Sequence, residues 1–119
     1  MKTVEYAPGR SVDLYGAPSD PTVLLWHGMQ TDSKAALRPL AEAIAGHRLA
    51  VVVPDWNSHA DDGGRADLLA SAAFARENAT NANDLVVVGW SMGGLAAAGL
   101  TIHSDTVGMR VGHTLCLAG

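Results

Sequence analysis

A pentapeptide with a serine at its centre is the part of this sequence that could do chemistry. Gly89-Trp90-Ser91-Met92-Gly93 fits the pattern Gly-x-Ser-x-Gly and follows an apolar run. Where such a pattern joins a strand to a helix, the tight turn exposes the serine hydroxyl, and the two glycines let strand and helix approach closely. Ser91 is therefore the candidate nucleophile. The alternative is an ordinary serine in a glycine-rich turn, and the flanking elements favour the nucleophile.

The elements that must position Ser91 alternate along the chain. Three continuous apolar runs, 23–26, 49–53 and 85–88, have the composition of parallel strands that are covered on both faces. Between and after them, apolar residues recur at helical spacing in three groups. These groups are Leu37, Leu40, Ala41, Ile44 and Ala45; Ala66, Leu69, Ala70, Ala73 and Phe74; and Leu95, Ala98, Gly99 and Ile102. Pro39 either bends the first helix or marks its start, and Gly46 is its candidate C-cap.

Two further pieces complete the order of elements. Residues 4–6 and 12–15 flank a Pro-Gly turn and predict a β-hairpin at a sheet edge, and residues 113–117 predict a last strand. The order β-hairpin, β, α, β, α, β, α, β predicts an α/β three-layer sandwich with a mostly parallel sheet. We expect residues 1–119 to form one domain.

Composition excludes several classes of function. The chain has 119 residues and a net charge of -4, and its basic residues are scattered, so nucleic acid is not expected as a partner. Residues 1–6 form no apolar segment of the kind found in leaders, and no apolar run has membrane-spanning length, so we expect a cytoplasmic protein without a membrane partner. The single cysteine, Cys116, and the lack of ligand spacing predict no disulfide and no metal. Since no dinucleotide or Walker motif occurs, no cofactor is expected.

Three segments together resemble the α/β-hydrolase superfamily, in the style of small bacterial esterase-like and dienelactone-hydrolase-like members. They are Leu25-Trp26-His27-Gly28, Val53-Pro54-Asp55-Trp56 and Val88-Gly89-Trp90-Ser91-Met92-Gly93-Gly94. The resemblance implies that the loop after the first parallel strand donates one oxyanion-hole N–H, at Met29, and that Met92 donates the other. His27, Gly28, Gly89 and Gly93 would support these groups. The dienelactone-hydrolase-like members carry Cys in place of Ser91.

The resemblance covers only the N-terminal half of the family's fold. Later strands of the family supply the acid and the histidine of the triad, so neither residue stands in its family position here, and we expect a chain truncated after the sixth strand. The implied activity is hydrolysis of carboxylic esters or related acyl substrates through an acyl-enzyme, weak in this chain. The alternative is a non-catalytic scaffold or interaction domain that has lost the triad acid and histidine.

No histidine is a convincing substitute base. His103 lies twelve residues beyond Ser91 on the same predicted helix, and His47 and His113 lie at the amino edge of the sheet, opposite the expected site. His27 and His59 lie in loops at the correct edge. His27 is expected to shape its loop, and His59 to lie in a solvated polar loop.

Other conspicuous residues have bland alternatives. Asp55 ends its strand at the correct edge but has no base to orient. Trp26, Trp56 and Trp90 either line a substrate pocket or simply pack, and packing is the more common case. The Asp61-Asp62 pair is expected to be a loop feature and not a calcium site.

The last strand predicts self-association. Thr114-Leu115-Cys116-Leu117 is apolar, uncharged and without proline, which is the composition that natural edge strands avoid. If this strand forms a sheet edge, we expect copies of the chain to associate through it.

Overall fold

A computed structural model describes residues 1–17, 19–28, 33–57, 59–79, 85–90 and 113–117, with Trp90 and residues 113–117 described by their backbone alone. The strands are β1 (Lys2–Ala7), β2 (Arg10–Tyr15), β3 (Thr22–Trp26), β4 (Ala50–Pro54), β5 (Val86–Trp90) and β6 (His113–Leu117). The helices are a 3₁₀ turn (Lys34–Leu37), α1 (Arg38–Ala45) and α2 (Arg65–Asn78).

The six described strands form one sheet in the order β1-β2-β4-β3-β5-β6. β1 and β2 pair antiparallel as a hairpin, and β2 also runs antiparallel to β4. The pairs β3 with β4, β3 with β5 and β5 with β6 are parallel. The predicted hairpin at a sheet edge, the parallel central strands and the last strand over 113–117 are therefore confirmed.

Two hydrophobic clusters cover opposite faces of the sheet. Leu24 and Trp26 pack on the face that carries α2, whereas Val23 and Leu25 pack on the face that carries α1. Both sets are buried because alternate side chains of a strand point to opposite faces. The continuous apolar run of β3 thus results from two helical layers, and the three-layer α/β class is confirmed.

The first helix begins at Arg38, one residue before the proline. The 3₁₀ turn ends at Leu37, and Pro39 occupies the first turn of α1, where its missing N–H has no intrahelical partner to lose. Gly46 is the C-cap residue, as predicted, but it keeps a right-handed conformation with φ -62°. The left-handed residue of this turn is Arg48, with φ 61°.

The helix predicted from Ala66, Leu69, Ala70, Ala73 and Phe74 is confirmed as α2, but this spacing marks its buried face only in part. Leu69 and Phe74 pack against the core as partly buried side chains, whereas the fully buried residues of α2 are Ser71, Ala72 and Ala75. Small side chains on that face let the helix approach the sheet closely. In addition, the Ser71 hydroxyl accepts a hydrogen bond from the indole of Trp26 at 3.0 Å. A count of apolar positions therefore misses Ser71, a polar residue that is buried together with its hydrogen-bond partner Trp26.

Two expectations remain predictions. The helix predicted after Ser91 lies outside the described residues, as does the whole segment 91–112. β6 lies at one edge of the described sheet, in line with the edge position on which the predicted self-association depends. No helix in the described ranges is long and apolar enough to cross a bilayer.

Two tyrosines of the hairpin contrast in how their hydroxyls are satisfied. The Tyr15 hydroxyl is buried and, within the described residues, has no hydrogen-bond partner. Burial, followed by the nearby Asp13 carboxylate, raises the pKa of Tyr15 above its ordinary value. The Tyr6 hydroxyl instead donates to the backbone carbonyl of Asp55.

Removing these two hydroxyls should have opposite effects on stability. We expect Tyr15→Phe to leave the free energy of unfolding unchanged or to raise it by up to about 1 kcal/mol, because it deletes an unsatisfied buried group. Tyr6→Phe, the matched control, should lower it by about 1 kcal/mol, because it breaks a bond. Urea unfolding followed by circular dichroism measures both. Destabilisation of Tyr15→Phe as large as that of Tyr6→Phe would contradict this assignment.

Candidate active site

The parallel register brings the predicted site segments to one edge of the sheet. Trp26 of β3 pairs with Gly89 of β5, so the chain leaves both strands at the same carboxyl edge. β5 extends to Trp90, two residues beyond its predicted end, and Ser91 is the next residue in the sequence. Ser91, Met92, Gly93 and Met29 themselves lie outside the described residues. Gly89, His27 and Gly28 lie within them.

His27 is buried and bound on both ring nitrogens by the backbone. Its Nε2 accepts a hydrogen bond from the Trp56 backbone N–H at 3.1 Å, and its Nδ1 lies 2.8 Å from the carbonyl oxygen of Gly28. Since a backbone N–H can only donate, Nε2 carries the lone pair, and Nδ1 carries the proton that it donates to Gly28. His27 is thus in one neutral tautomer with both nitrogens in use. A role as general base would require it to break these bonds.

Trp56 holds the same histidine in two more ways. The indole Nε1–H donates to the backbone carbonyl of His27 at 3.1 Å. The two rings are stacked, with centroids 5.2 Å apart and planes inclined by 21°. Both side chains are about 1% exposed, so these contacts form away from water. We call this set of contacts between His27 and Trp56 the His–Trp clamp.

Gly64 packs directly against the indole of Trp56. It has φ 92°, a left-handed conformation that favours glycine. A Cβ placed on Gly64 would lie 2.6 Å from Cε3 of the Trp56 indole and 2.8 Å from the Asn57 carbonyl oxygen. Its neighbour Gly63 also has a positive φ, 71°, but a Cβ there would meet nothing within 4 Å. Close packing against the indole therefore distinguishes Gly64 from Gly63.

A lysine bridges two acidic residues beside the clamp. Lys34 Nζ lies 3.3 Å from Oδ1 of Asp13 and 3.7 Å from Oδ2 of Asp55. The backbone N–H of Lys34 also donates to Asp55 Oδ1 at 2.9 Å, and the Thr3 hydroxyl donates to Asp13 at 2.6 Å. Ser11 Oγ donates to Asp55 at 3.4 Å. The Asp13 side chain is only 6% exposed, so the lysine charge compensates a carboxylate that water barely reaches.

Sequence reasoning missed Lys34 and Asp13. A signal existed, since Asp13 stands in a strand between Val12 and Leu14, and an acid among apolar strand residues calls for a cationic partner. The identity of that partner depends on strand order, which places the 3₁₀ turn beside β2 and β4. Asp55, which was predicted to lie at the carboxyl edge, does so, and its carboxylate is bound to Lys34.

The start of α2 is fixed by Asp62 and Asp67. The Asp62 carboxylate accepts hydrogen bonds from the backbone N–H groups of Ala66 and Gly64, both at 2.9 Å, and these bonds lower the pKa of Asp62. Asp67 accepts from the Asn57 N–H at 3.0 Å and lies 3.3 Å from Nε of Arg10. Asp62 thus caps a helix, as a loop feature would. Within the described ranges no group of three or more His, Cys, Asp or Glu could hold a metal ion.

The other candidate side chains are divided between packing and solvent. Trp26 is buried and its indole donates to Ser71, which in turn donates to the Leu68 carbonyl at 2.8 Å. Trp26 and Trp56 therefore pack, and the side chain of Trp90 lies outside the description. His59 is exposed, and its backbone N–H donates to Oδ1 of Asn57.

Comparison with solved structures identifies the fold. A thioesterase domain from the curacin biosynthetic pathway matches 97% of this chain over 44% of its own length, with 20% identity and a TM-score of 0.65. Esterase 2 of Thermogutta terrifontis with butyrate bound matches 82% of this chain over 43% of its own, with 21% identity and a TM-score of 0.68. The same esterase phosphorylated by paraoxon matches 82% over 46%, with 21% identity and a TM-score of 0.68.

These matches show that the chain has the fold of the α/β-hydrolases. It spans about 44% of the length of the solved structures to which it is similar, in agreement with the resemblance to the N-terminal half of that fold. No protein-family model and no curated protein matches the chain.

Removing the bridging lysine should destabilise the protein far more than removing an exposed cation. We expect Lys34→Met to lower the free energy of unfolding by about 3 kcal/mol, because Asp13 and Asp55 lose their shared counter-charge. Arg38→Met is the control: Arg38 and Glu42 form an ion pair at 2.9 Å with both side chains more than half exposed. Its loss should leave the free energy of unfolding nearly unchanged, because an exposed ion pair contributes little to stability. Equal losses in urea unfolding would show that the Lys34 bridge contributes no more than a surface pair.

The cap of α2 should make stability depend on pH at the acid end. A carboxyl whose pKa is lower in the folded state stabilises that state above its unfolded pKa of about 3.9, and the effect is lost as pH falls through the folded pKa. We expect Asp62→Asn to have a lower Tm than the wild type at pH 7. The gap should narrow below about pH 4. Asp61→Asn, a change at the exposed neighbour, should show no such gap, and a pH-independent gap for Asp62→Asn would contradict the assignment.

Proposed function

We propose that this chain is part of a serine hydrolase of carboxylic esters or related acyl substrates, with Ser91 as the nucleophile. One observation supports this most strongly: the pairing of Trp26 with Gly89 ends two adjacent parallel strands at the same edge. The chain therefore leaves β3 toward His27 and leaves β5 toward Ser91 at neighbouring positions of this edge. That arrangement is needed for one backbone donor from each segment to reach the same oxyanion.

The reaction would proceed in two steps. Ser91 Oγ attacks the acyl carbon and loses its proton, and the carbonyl oxygen gains negative charge that the Met29 and Met92 N–H groups stabilise. The bond to the leaving alcohol or thiol breaks, the leaving group takes up a proton, and an acyl-enzyme remains. Water then adds to the acyl carbon and releases the acid, which restores the Ser91 hydroxyl.

The described residues place no general base at the expected site, and this limits the rate of hydrolysis that we expect for residues 1–119 alone. His27 has both nitrogens engaged, and His47 and His113 lie at the amino edge. Within the part of the chain that the structure describes, exposed His59 is the one histidine left at the carboxyl edge. Without a positioned base a serine hydroxyl is a weak nucleophile at neutral pH, so turnover should be slow.

The neighbouring structures support acyl chemistry. One is a thioesterase domain, and another is an esterase that binds butyrate and is phosphorylated by paraoxon. Both share this fold, and in this sequence Ser91 of the Gly-x-Ser-x-Gly pattern directly follows β5. The non-catalytic scaffold remains the second candidate, and it predicts no special reactivity at Ser91.

Covalent labelling by paraoxon distinguishes these candidates. Attack of Ser91 Oγ on phosphorus expels p-nitrophenolate and leaves a diethylphosphoryl group on the serine. We expect mass spectrometry of the digested chain to find this adduct at Ser91 in preference to the other serines, and only when the chain is folded. Labelling of urea-unfolded chain is the control. An adduct at Ser91 that is no more abundant than in unfolded chain would favour the scaffold.

Turnover tests the missing base separately. Residues 1–119 should hydrolyse p-nitrophenyl acetate at most marginally faster than the Ser91→Ala variant. Fast, Ser91-dependent hydrolysis would show that these residues contain a base, and His59→Ala would then test the exposed candidate.

A further inference from the structure

Both ends of the connection between β3 and α1 are held by two consecutive residues. The connection begins at His27, which is hydrogen-bonded to Trp56, and it reaches the 3₁₀ turn at Lys34, which is hydrogen-bonded to Asp55. Trp56 and Asp55 follow β4 directly, and β4 is the neighbour of β3 in the sheet. A single short segment thus fixes the entry and the exit of the connection that contains Met29.

At the start of the connection, the contacts with Trp56 fix both the ring and the backbone of His27. Two hydrogen bonds of 3.1 Å run from Trp56 to His27, one to the ring and one to the backbone carbonyl, and the rings stack between them. Since the carbonyl of His27 belongs to the peptide that leads into Gly28, the indole bond orients the main chain itself. Gly28 is bound in turn by the His27 ring.

At the end of the connection, Asp55 also binds the main chain. Asp55 Oδ1 accepts the backbone N–H of Lys34 at 2.9 Å, while its Oδ2 faces the lysine ammonium at 3.7 Å. The same residue thus binds the peptide and the side chain of one partner. A surface ion pair alone would not orient a backbone in this way.

We propose that Trp56 and Asp55 are positioning residues for catalysis, because they hold the two described ends, His27 and Lys34, of the connection that contains the predicted oxyanion donor. This inference rests on the proposed function. Oxyanion donors act through placement, and an error of about 1 Å can cost on the order of a hundredfold in rate. Neither residue touches the reacting atoms in this scheme.

Two adjacent glycines give a matched test. Gly64→Ala and Gly63→Ala impose the same side chain at left-handed positions of one loop, but only the alanine at 64 meets the Trp56 indole, at 2.6 Å. With paraoxon as the probe, we expect Gly64→Ala to lower the saturating rate of Ser91 phosphorylation at least tenfold. The concentration for half-maximal rate should change less than about threefold, because charge stabilisation and not binding is impaired. Gly63→Ala should stay within about threefold of wild type in both.

A conservative substitution separates positioning from folding at Asp55. Asn at this position retains an oxygen that can accept the Lys34 N–H, whereas Ala does not. We expect Asp55→Asn to keep most of the saturating rate and Asp55→Ala to lose tenfold or more. Cooperative unfolding by circular dichroism verifies that each variant is folded before its rate is compared.

The imidazole of His27 reports on the clamp without any reaction. In wild type and Gly63→Ala, nitrogen NMR should show a neutral ring with the proton on Nδ1, and in Gly64→Ala this signature should be lost or averaged. A wild-type ring protonated on Nε2 would overturn the inference. So would a folded Gly64→Ala variant that reacts at Ser91 as fast as Gly63→Ala. If the wild type forms no adduct at Ser91, the proposed function fails and the positioning role fails with it.

Discussion

The lone pair on Nε2 of His27 joins two segments that leave neighbouring parallel strands. It accepts the Trp56 N–H, and this bond requires the ring to be neutral, to carry its proton on Nδ1 and to lie in one orientation. Once the ring is so placed, the indole can stack on it and reach the His27 carbonyl. Gly64 can then pack under the indole. The ring stacking, the indole hydrogen bond and the packing of Gly64 all involve the pair of residues that this bond joins.

The sheet could be predicted because its signals are local. A strand covered by helices on both faces is apolar at every position, so 23–26, 49–53 and 85–88 indicated parallel strands without knowledge of their order. The hairpin followed from a Pro-Gly turn between two β-prone pieces. The inner face of α2 could not be read in the same way, because Ser71 is buried by its bond to Trp26, a residue 45 positions earlier.

The site divides along the same line. A serine between two glycines after an apolar run is a local pattern, and so is a His-Gly pair after another. The partners of these groups are not local: Trp56 lies 29 residues from His27, and Asp55 lies 21 from Lys34. Only the placement of β4 beside β3 brings them together. The sequence therefore indicated the chemistry, whereas the residues that hold its backbone emerge from strand order.

Gly64 belongs to two parts of the structure, since it is the N-cap residue of α2 and also packs directly against the Trp56 indole. Asp67, in the first turn of the same helix, binds the Asn57 N–H, one residue beyond the indole. Fraying of this turn would remove the packing of Gly64 against the indole and the hydrogen bond from Asn57 to Asp67, and it would thereby release the loop that carries Trp56. Local unfolding of the first turn of α2 and loosening of His27 are therefore one cooperative event, and the amides of this turn should exchange with solvent hydrogen at the rate at which the clamp opens.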